Sequence, residues 1–278
     1  MPRRLGGPTG LSAIEREMRA GRGQGNGEHY LPWLTVHNVP SQGQSGRVLG
    51  WKSGRVQHLL SQLEQRYQLL LDWSDSVTDV REQFPLLPIQ ETLEISEQLG
   101  VKHPQSKGQL VVMTTDFLVT QRIRLREIDV ARTIKMVEEL NNRRVLEKFE
   151  IERTYWARRN IDWGIVIDTD LPQDACHNIG RLHSYRSLNS LNPLPLETVQ
   201  KVAHALAQLI SQTDGQVMLA ELCKDVDSRV GVTFGTALGV AYFLLANKVL
   251  KIDIRQRIYT DRLMNVSVGD FEHLWSPK

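Results

Sequence analysis

The stretch QLVVMTTDFLV, residues 109–119, indicates how the first half of this 278-residue chain folds. Its apolar residues are typical of a strand buried in the middle of a sheet. Asp116 interrupts the run, and a buried carboxylate needs a partner because removing a charge from water is costly. Main-chain amides or an arginine would be ordinary partners. A divalent cation is the alternative that would carry chemistry.

The elements around this stretch predict an α/β core. An i, i+3, i+4, i+7 apolar pattern indicates an amphipathic helix over residues 56–71. A second helix is expected over 138–159. Strands are expected at residues 77–84, 128–136 and 161–169. The order helix, three strands, helix, strand is typical of helices packed on a sheet.

A change of composition near Asp170 predicts a domain boundary, with residues 1–168 before it and 169–278 after it. The second part is expected to contain three helices and then a two-stranded ribbon. The expected helices are at 196–210, 216–227 and 234–248, and the expected ribbon pairs 250–259 with 264–268. Three helices and a β ribbon predict a smaller, winged-helix-like domain.

Composition excludes several classes of protein. The formal net charge is only +2, so a nucleic-acid surface would have to be a local patch. The two cysteines form no CxxC pair and the eight histidines show no HxxxH or HxH spacing, so a metal would need oxygen ligands. No stretch approaches the roughly 20 apolar residues of a membrane span, and the first residues lack the apolar run of a signal peptide. We therefore expect a cytoplasmic protein with no membrane partner.

Two further residues could complete a hydrolytic site with Asp116. Glu64 falls at the edge of the apolar stripe of its helix, where the helix meets the sheet; the ordinary alternative is a solvated glutamate. Thr133 and Lys135 share one face of their strand by the period of two, and the ordinary alternative for Lys135 is a lysine facing solvent. Mg²⁺ would offset the repulsion between the two carboxylates, since it commonly takes one or two of them and keeps waters.

The order of these residues resembles the PD-(D/E)xK nuclease core, and several stretches resemble the TnsA-type transposon endonucleases in particular. The resemblance covers roughly residues 21–168. The stretches that carry it are GRGQGNGEHYLPWLTV, GRVQHLLSQLE, SVTDVREQFPLLP, GVKHP, MTTDFLV and LEKFEIERTYW. It implies a restriction-endonuclease-like mixed sheet flanked by helices in the first domain.

The resemblance also implies residue roles. Glu64 and Asp116 would bind metal, with the main-chain carbonyl of Ile134 as a third ligand, and Lys135 would be the catalytic lysine. The cofactor would be Mg²⁺, with Mn²⁺ able to substitute. This chain has Thr133 where the family typically has glutamine and the wider superfamily an acidic residue. A threonine hydroxyl is a poor Mg²⁺ ligand, so the carbonyl of Ile134 becomes more important.

The resemblance implies that the protein cuts the 5′ ends of a transposon, while a TnsB-type DDE transposase cuts and joins the 3′ ends and a TnsC-type ATPase regulator contacts the TnsA-type subunit. The partners implied are therefore transposon-end DNA, a TnsB-like transposase and a TnsC-like ATPase. A non-catalytic adaptor that binds DNA and recruits the ATPase is the alternative that Thr133 leaves open. A third hypothesis is a stand-alone repair or restriction nuclease, which would need no transposase partner.

Overall fold

The computed structural model describes residues 9–38, 45–270 and 272–275. The chain divides into two compact units, Met1–Leu171 and Pro172–Lys278. None of the described helices is both long enough and apolar enough to cross a membrane.

The first unit contains four α-helices and eight strands among its described residues. The helices are α1 (Leu11–Arg19), α2 (Gln62–Trp73), α3 (Ile89–Gln98) and α4 (Arg143–Ala157). The strands are β1 (Gly46–Leu49), β2 (Val56–Leu59), β3 (Val77–Pro85), β4 (Gln105–Ser106), β5 (Gln109–Leu110), β6 (Thr114–Ile123), β7 (Arg126–Lys135) and β8 (Asp162–Ile167). Short 3₁₀ turns lie at Gly27–His29, Val137–Asn141 and Asp168–Asp170.

The central sheet has four strands in the order β3-β6-β7-β8. β3, β6 and β7 are antiparallel neighbours, whereas β7 and β8 run parallel. Parallel strands need a crossover connection, and α4 supplies it. The predicted mixed sheet flanked by helices is confirmed.

Alternating residues of β6 and β7 divide the core into two layers. Phe117, Val130 and Ile134 pack with Leu71 of α2 on one face of the sheet. On the other face, Leu118 and Ala131 pack with side chains of α3 and α4, among them Ile95, Ile151 and Trp156. This follows from the period of two along a strand, which sends neighbouring side chains to opposite faces.

The predicted helix over 56–71 was wrong in its first part. Residues Val56–Leu59 form β2, which pairs antiparallel with β1, and the helix begins only after Ser61, whose hydroxyl accepts a hydrogen bond from the N–H of Glu64. An N-cap serine satisfies a main-chain donor that has no partner inside the helix. Helix α3 was not predicted from the sequence.

The second unit contains helices, short ribbons and 3₁₀ turns. Its helices are α5 (Gln173–Leu182), α6 (Leu196–Ser211), α7 (Leu219–Val230) and α8 (Thr236–Ala246). Its strands are β9 (Gln216–Met218), β10 (Leu250–Lys251), β11 (Leu263–Asn265) and β12 (Ser267–Val268). The turns are at His183–Tyr185, Leu188–Leu191 and Glu272–Trp275.

The expected ribbon is only partly correct. β10 pairs with β12, but β11 pairs with β9, the strand that precedes α7. The sequence pattern suggested one ribbon because it could not show that residues 216–218, assigned to a helix, were extended. Helix α5 was also not predicted.

Candidate active site

Glu64 lies at the third position of α2 and its side chain is fully buried. Its Oε2 accepts a hydrogen bond from the N–H of Leu60 at 2.7 Å, and its Oε1 accepts one from the hydroxyl of Ser61 at 2.9 Å. Together with the N-cap bond from Glu64 N–H to Ser61, this resembles a capping box. The ordinary alternative of a solvated glutamate is therefore wrong.

Gln83 connects Glu64 to the centre of the sheet. Its Nε2 donates to Glu64 Oε2 at 3.2 Å. Its neighbours in β3 are registered opposite Phe117 and Thr115 of β6, so Gln83 itself lies across from Asp116. Directly opposed residues of antiparallel strands are close neighbours. The carboxylate of Glu64 therefore contacts the residue that faces Asp116.

The backbone of Gln83 is unusual, with φ at 49°. This left-handed region is uncommon for a residue other than glycine and often marks a functional position. The usual alternation of faces breaks here. Glu82 contacts the N–H of His58 and pairs with Arg55 on the α2 side, whereas Phe84 packs against Trp156 of α4. At this kink, the side chain of Gln83 contacts the carboxylate of Glu64.

Asp116 lies where β6 and β7 separate. The last registered pair of that ladder is Phe117–Arg132. One step further, Oδ2 of the buried Asp116 accepts a hydrogen bond from the N–H of Ile134 at 2.8 Å. A main-chain amide, the ordinary partner expected for Asp116, is thus present.

The same hydrogen bond orients the carbonyl of Ile134. Within a strand, the N–H and C=O of one residue point to the same side. Because the N–H of Ile134 points at Asp116, its carbonyl is directed towards β6 as well. Asp116 and the Ile134 carbonyl therefore lie on the same side of β7.

The side chain of Thr133 contacts helix α4. It is buried, and its hydroxyl donates to Oε1 of Glu152 in α4. Lys135, two residues further on the same face, is partly exposed at the end of β7. Among the residues that the structure describes, no hydrogen bond or ion pair joins Lys135 to a carboxylate.

Glu152 is the buried acid that sequence reasoning missed. Its Oε1 accepts hydrogen bonds from the hydroxyls of Thr133 and Thr115 and from the indole N–H of Trp163 at 2.9 Å. Burial raises the pKa of Glu152 to about 7, although these hydrogen bonds lower it; the charge of Asp116 adds to the rise. Glu152 therefore links β6, β7 and β8 beside Asp116.

A helical pattern could have located Glu152. Phe149, Glu152 and Trp156 are spaced i, i+3, i+7 and so share one face of α4, and all three are buried. A glutamate in phase with two aromatic residues is expected to face the core. Gln83, by contrast, has no such signal, because its role depends on a backbone kink that no residue pattern indicates.

The donor set suits a hard cation. No cluster of three or more His, Cys, Asp and Glu side chains able to hold a metal occurs in the described parts of the chain. Glu64, Asp116 and the carbonyl of Ile134 nevertheless offer only oxygen donors, and a hard cation such as Mg²⁺ needs few protein ligands because it retains waters. By chemistry, these donor types suit a hard divalent cation.

Comparisons with known proteins identify the family of the chain. The protein-family model described as TnsA-like endonuclease N terminal matches residues 74–168. The family model described as TnsA endonuclease C terminal matches residues 170–254. The transposon Tn7 transposition protein TnsA of Escherichia coli is 38% identical over 256 residues, which cover 92% of this chain and 91% of that protein. Asp116, Ile134, Lys135 and Glu152 lie inside the first matched range, and Glu64 precedes it. The chain belongs to the TnsA family of transposition endonucleases.

Proposed function

We propose that this chain is the subunit of a heteromeric transposase that cuts the 5′ ends of a transposon in a Mg²⁺-dependent reaction. The observation that carries the proposal is the hydrogen bond from Gln83 to Glu64, because the neighbours of Gln83 in β3 pair with the residues on either side of Asp116 in β6. It supports a site shared by a helix carboxylate and a strand carboxylate where β6 leaves β7. The side chain of Lys135 is available at the same end of β7.

In this proposal, Glu64, Asp116 and the carbonyl of Ile134 hold the cation, with Mn²⁺ able to replace Mg²⁺. Bound there, the ion would activate water and neutralise charge that develops on the phosphate. Lys135 binds the scissile phosphate or orients the attacking water with its ammonium group. The hydroxyl of Thr133 instead holds Glu152. The glutamine that the family typically has at this position is absent, but the main-chain carbonyl of Ile134 can supply the ligand.

The remaining parts of the proposal concern partners. The relative is named as a transposition protein of Tn7, and we propose that this chain acts likewise with a TnsB-like DDE transposase, a TnsC-like ATPase and transposon-end DNA. We propose a winged-helix-like arrangement for Pro172–Lys278, supported by helices α6, α7 and α8 with ribbons β9–β11 and β10–β12. The fold alone does not determine the role of this unit; the family resemblance favours docking of the ATPase, with DNA contact as the second possibility.

The decisive experiment is strand-specific nicking of transposon-end DNA by the full chain, with and without the cognate TnsB-like transposase. We expect 5′-strand cuts that need Mg²⁺ or Mn²⁺ and the transposase, and that are lost in Asp116→Ala. Cuts without the transposase would favour a stand-alone nuclease. Intact DNA, with ATPase recruitment retained, would favour the non-catalytic adaptor.

A further inference from the structure

Helix α4 carries a lysine whose place follows from the fold. β7 and β8 are parallel, so the helix that connects them runs antiparallel to both. Glu152 contacts Thr133. One helical turn back from Glu152 is Lys148, about 6 Å away, and two residues forward from Thr133 is Lys135, about 6.6 Å away. Lys148 and Lys135 therefore lie side by side at the same end of β7.

The two lysines form a concentration of like charge. Burial, Arg144 and Lys135 together lower the pKa of Lys148, which agrees with the placement from the fold. Arg144 is occupied, since it pairs with Glu147 and donates to the carbonyl of Lys102. In the described parts of the chain, neither Lys135 nor Lys148 has an acidic side chain within 4 Å.

Glu152 does not offset this charge effectively. Its pKa of about 7 leaves it only partly ionised at neutral pH, and three donors already surround its Oε1. Like charges that a fold holds close together repel each other, and this repulsion favours the binding of an anion between them. An anion beside both lysines would relieve that repulsion, and the end of β7 is where the proposed cleavage site places DNA.

We propose that Lys148 is a second substrate-contacting lysine, which binds a phosphate of the cut DNA strand next to the phosphate held by Lys135. The proposal rests on the proposed function of the site. A lysine ammonium binds phosphate as a point charge, so the contact would position the strand without reading its sequence. No bond is made or broken at Lys148.

The first test is lysine footprinting, which needs no cleavage. The full chain and its TnsB-like partner are treated with an N-hydroxysuccinimide ester in EDTA, with and without transposon-end duplex, and acetylation is read by mass spectrometry. DNA should protect Lys148 at least fivefold while leaving Lys201, an exposed lysine of α6, unchanged. Equal labelling of Lys148 with and without DNA would overturn the proposal, even if the protein proved not to be a nuclease.

The second test is nicking kinetics with matched variants. Lys148→Met keeps the aliphatic chain and removes the charge, Lys148→Arg keeps the charge, and Arg153→Met removes an exposed cation elsewhere on α4. Lys148→Met should raise the KM for DNA about tenfold with little change in kcat, and reduce the salt dependence of 1/KM by about one counterion. Lys148→Arg should stay within about threefold of wild type, and Arg153→Met within about twofold.

Other outcomes identify the rival explanations. If Lys148→Met lowers only thermal stability and leaves KM and its salt dependence unchanged, Lys148 is structural and the proposal fails. Loss of partner-protein binding with unchanged DNA protection would assign Lys148 to a protein interface, which also overturns it. If the wild-type chain does not nick at all, the proposed function fails and the footprint alone decides the role of Lys148.

Discussion

Thr133 donates its hydroxyl hydrogen to Oε1 of Glu152, so its side chain faces helix α4. The carboxyl group of Glu152 also accepts from Thr115 of β6 and Trp163 of β8. One buried acid thus joins the strands that carry Asp116 and Lys135. The hydroxyl of Thr133 is thus part of a buried hydrogen-bond network around Glu152.

Thr133→Ala should have a small effect. It removes one of the three donors to Glu152, which should lower the free energy of unfolding by about 1 kcal/mol and the nicking rate roughly tenfold or less. Thr133→Ser, which keeps the hydroxyl, is the control. The rates are measured as 5′-strand nicking at fixed Mg²⁺ with the transposase present. A nearly inactive Thr133→Ala protein of normal stability would mean that the hydroxyl acts directly in catalysis.

Lys135→Ala should have a much larger effect on the same assay. The loss of a charge directed at the transition state typically costs on the order of a hundredfold or more in rate. Because Lys135 is partly exposed, thermal stability should change little. If Lys135→Ala cuts DNA at the wild-type rate, the catalytic lysine lies elsewhere.

The pKa of Glu152 predicts how stability depends on pH. Its folded-state pKa, about 7, lies above its usual 4.5, so the native state binds the proton more tightly than the unfolded chain does. The corresponding stabilisation is complete below about pH 4.5 and is lost as the pH rises through 7, a difference of about 3 kcal/mol. We expect metal-free urea unfolding between pH 5 and pH 8 to show this decline in wild type. Glu152→Gln, which cannot ionise, should show a flatter profile; identical profiles would contradict the assignment.

Substitution of the two carboxylates should abolish nicking. Asp116→Asn and Glu64→Gln are the informative variants, because Glu64→Ala would also remove the acceptor for Leu60, Ser61 and Gln83 and destabilise α2. Crystals soaked in Mn²⁺ should show anomalous density beside Asp116 in wild type and none in Asp116→Asn. Density at another position, with Asp116 bare, would exclude this site.

Separation of the two units should divide their functions. A chain that ends at Leu171, the last residue of the first compact unit, should give a folded protein by circular dichroism and lose binding to the TnsC-like ATPase. The fragment Pro172–Lys278 should retain that binding in a pull-down. Undiminished ATPase binding by the shorter N-terminal protein would place the docking surface in the nuclease unit.

The sequence by itself determined the α/β class of the first unit and its principal strands. Alternation is a local property, so an apolar run such as residues 109–119 predicts which residues face the core. The structure divides that run, since residues 109–110 form β5 and residues 114–119 belong to β6. The same reasoning located Asp116 within a strand and put Thr133 and Lys135 on one face. The stretches that resemble the TnsA-type endonucleases added the family, which the comparisons confirm.

Only the tertiary structure decided which side chains meet. Val56–Leu59 became a strand because β1 offered it a pairing partner, although its apolar spacing also suits a helix. The contact of Gln83 with Glu64 depends on a left-handed backbone at Gln83, and the burial of Glu152 depends on donors from three strands. These arrangements arise from pairing between residues far apart in the chain. Local spacing carries no information about such pairing, because a periodic pattern shows which face is buried but not what it is buried against.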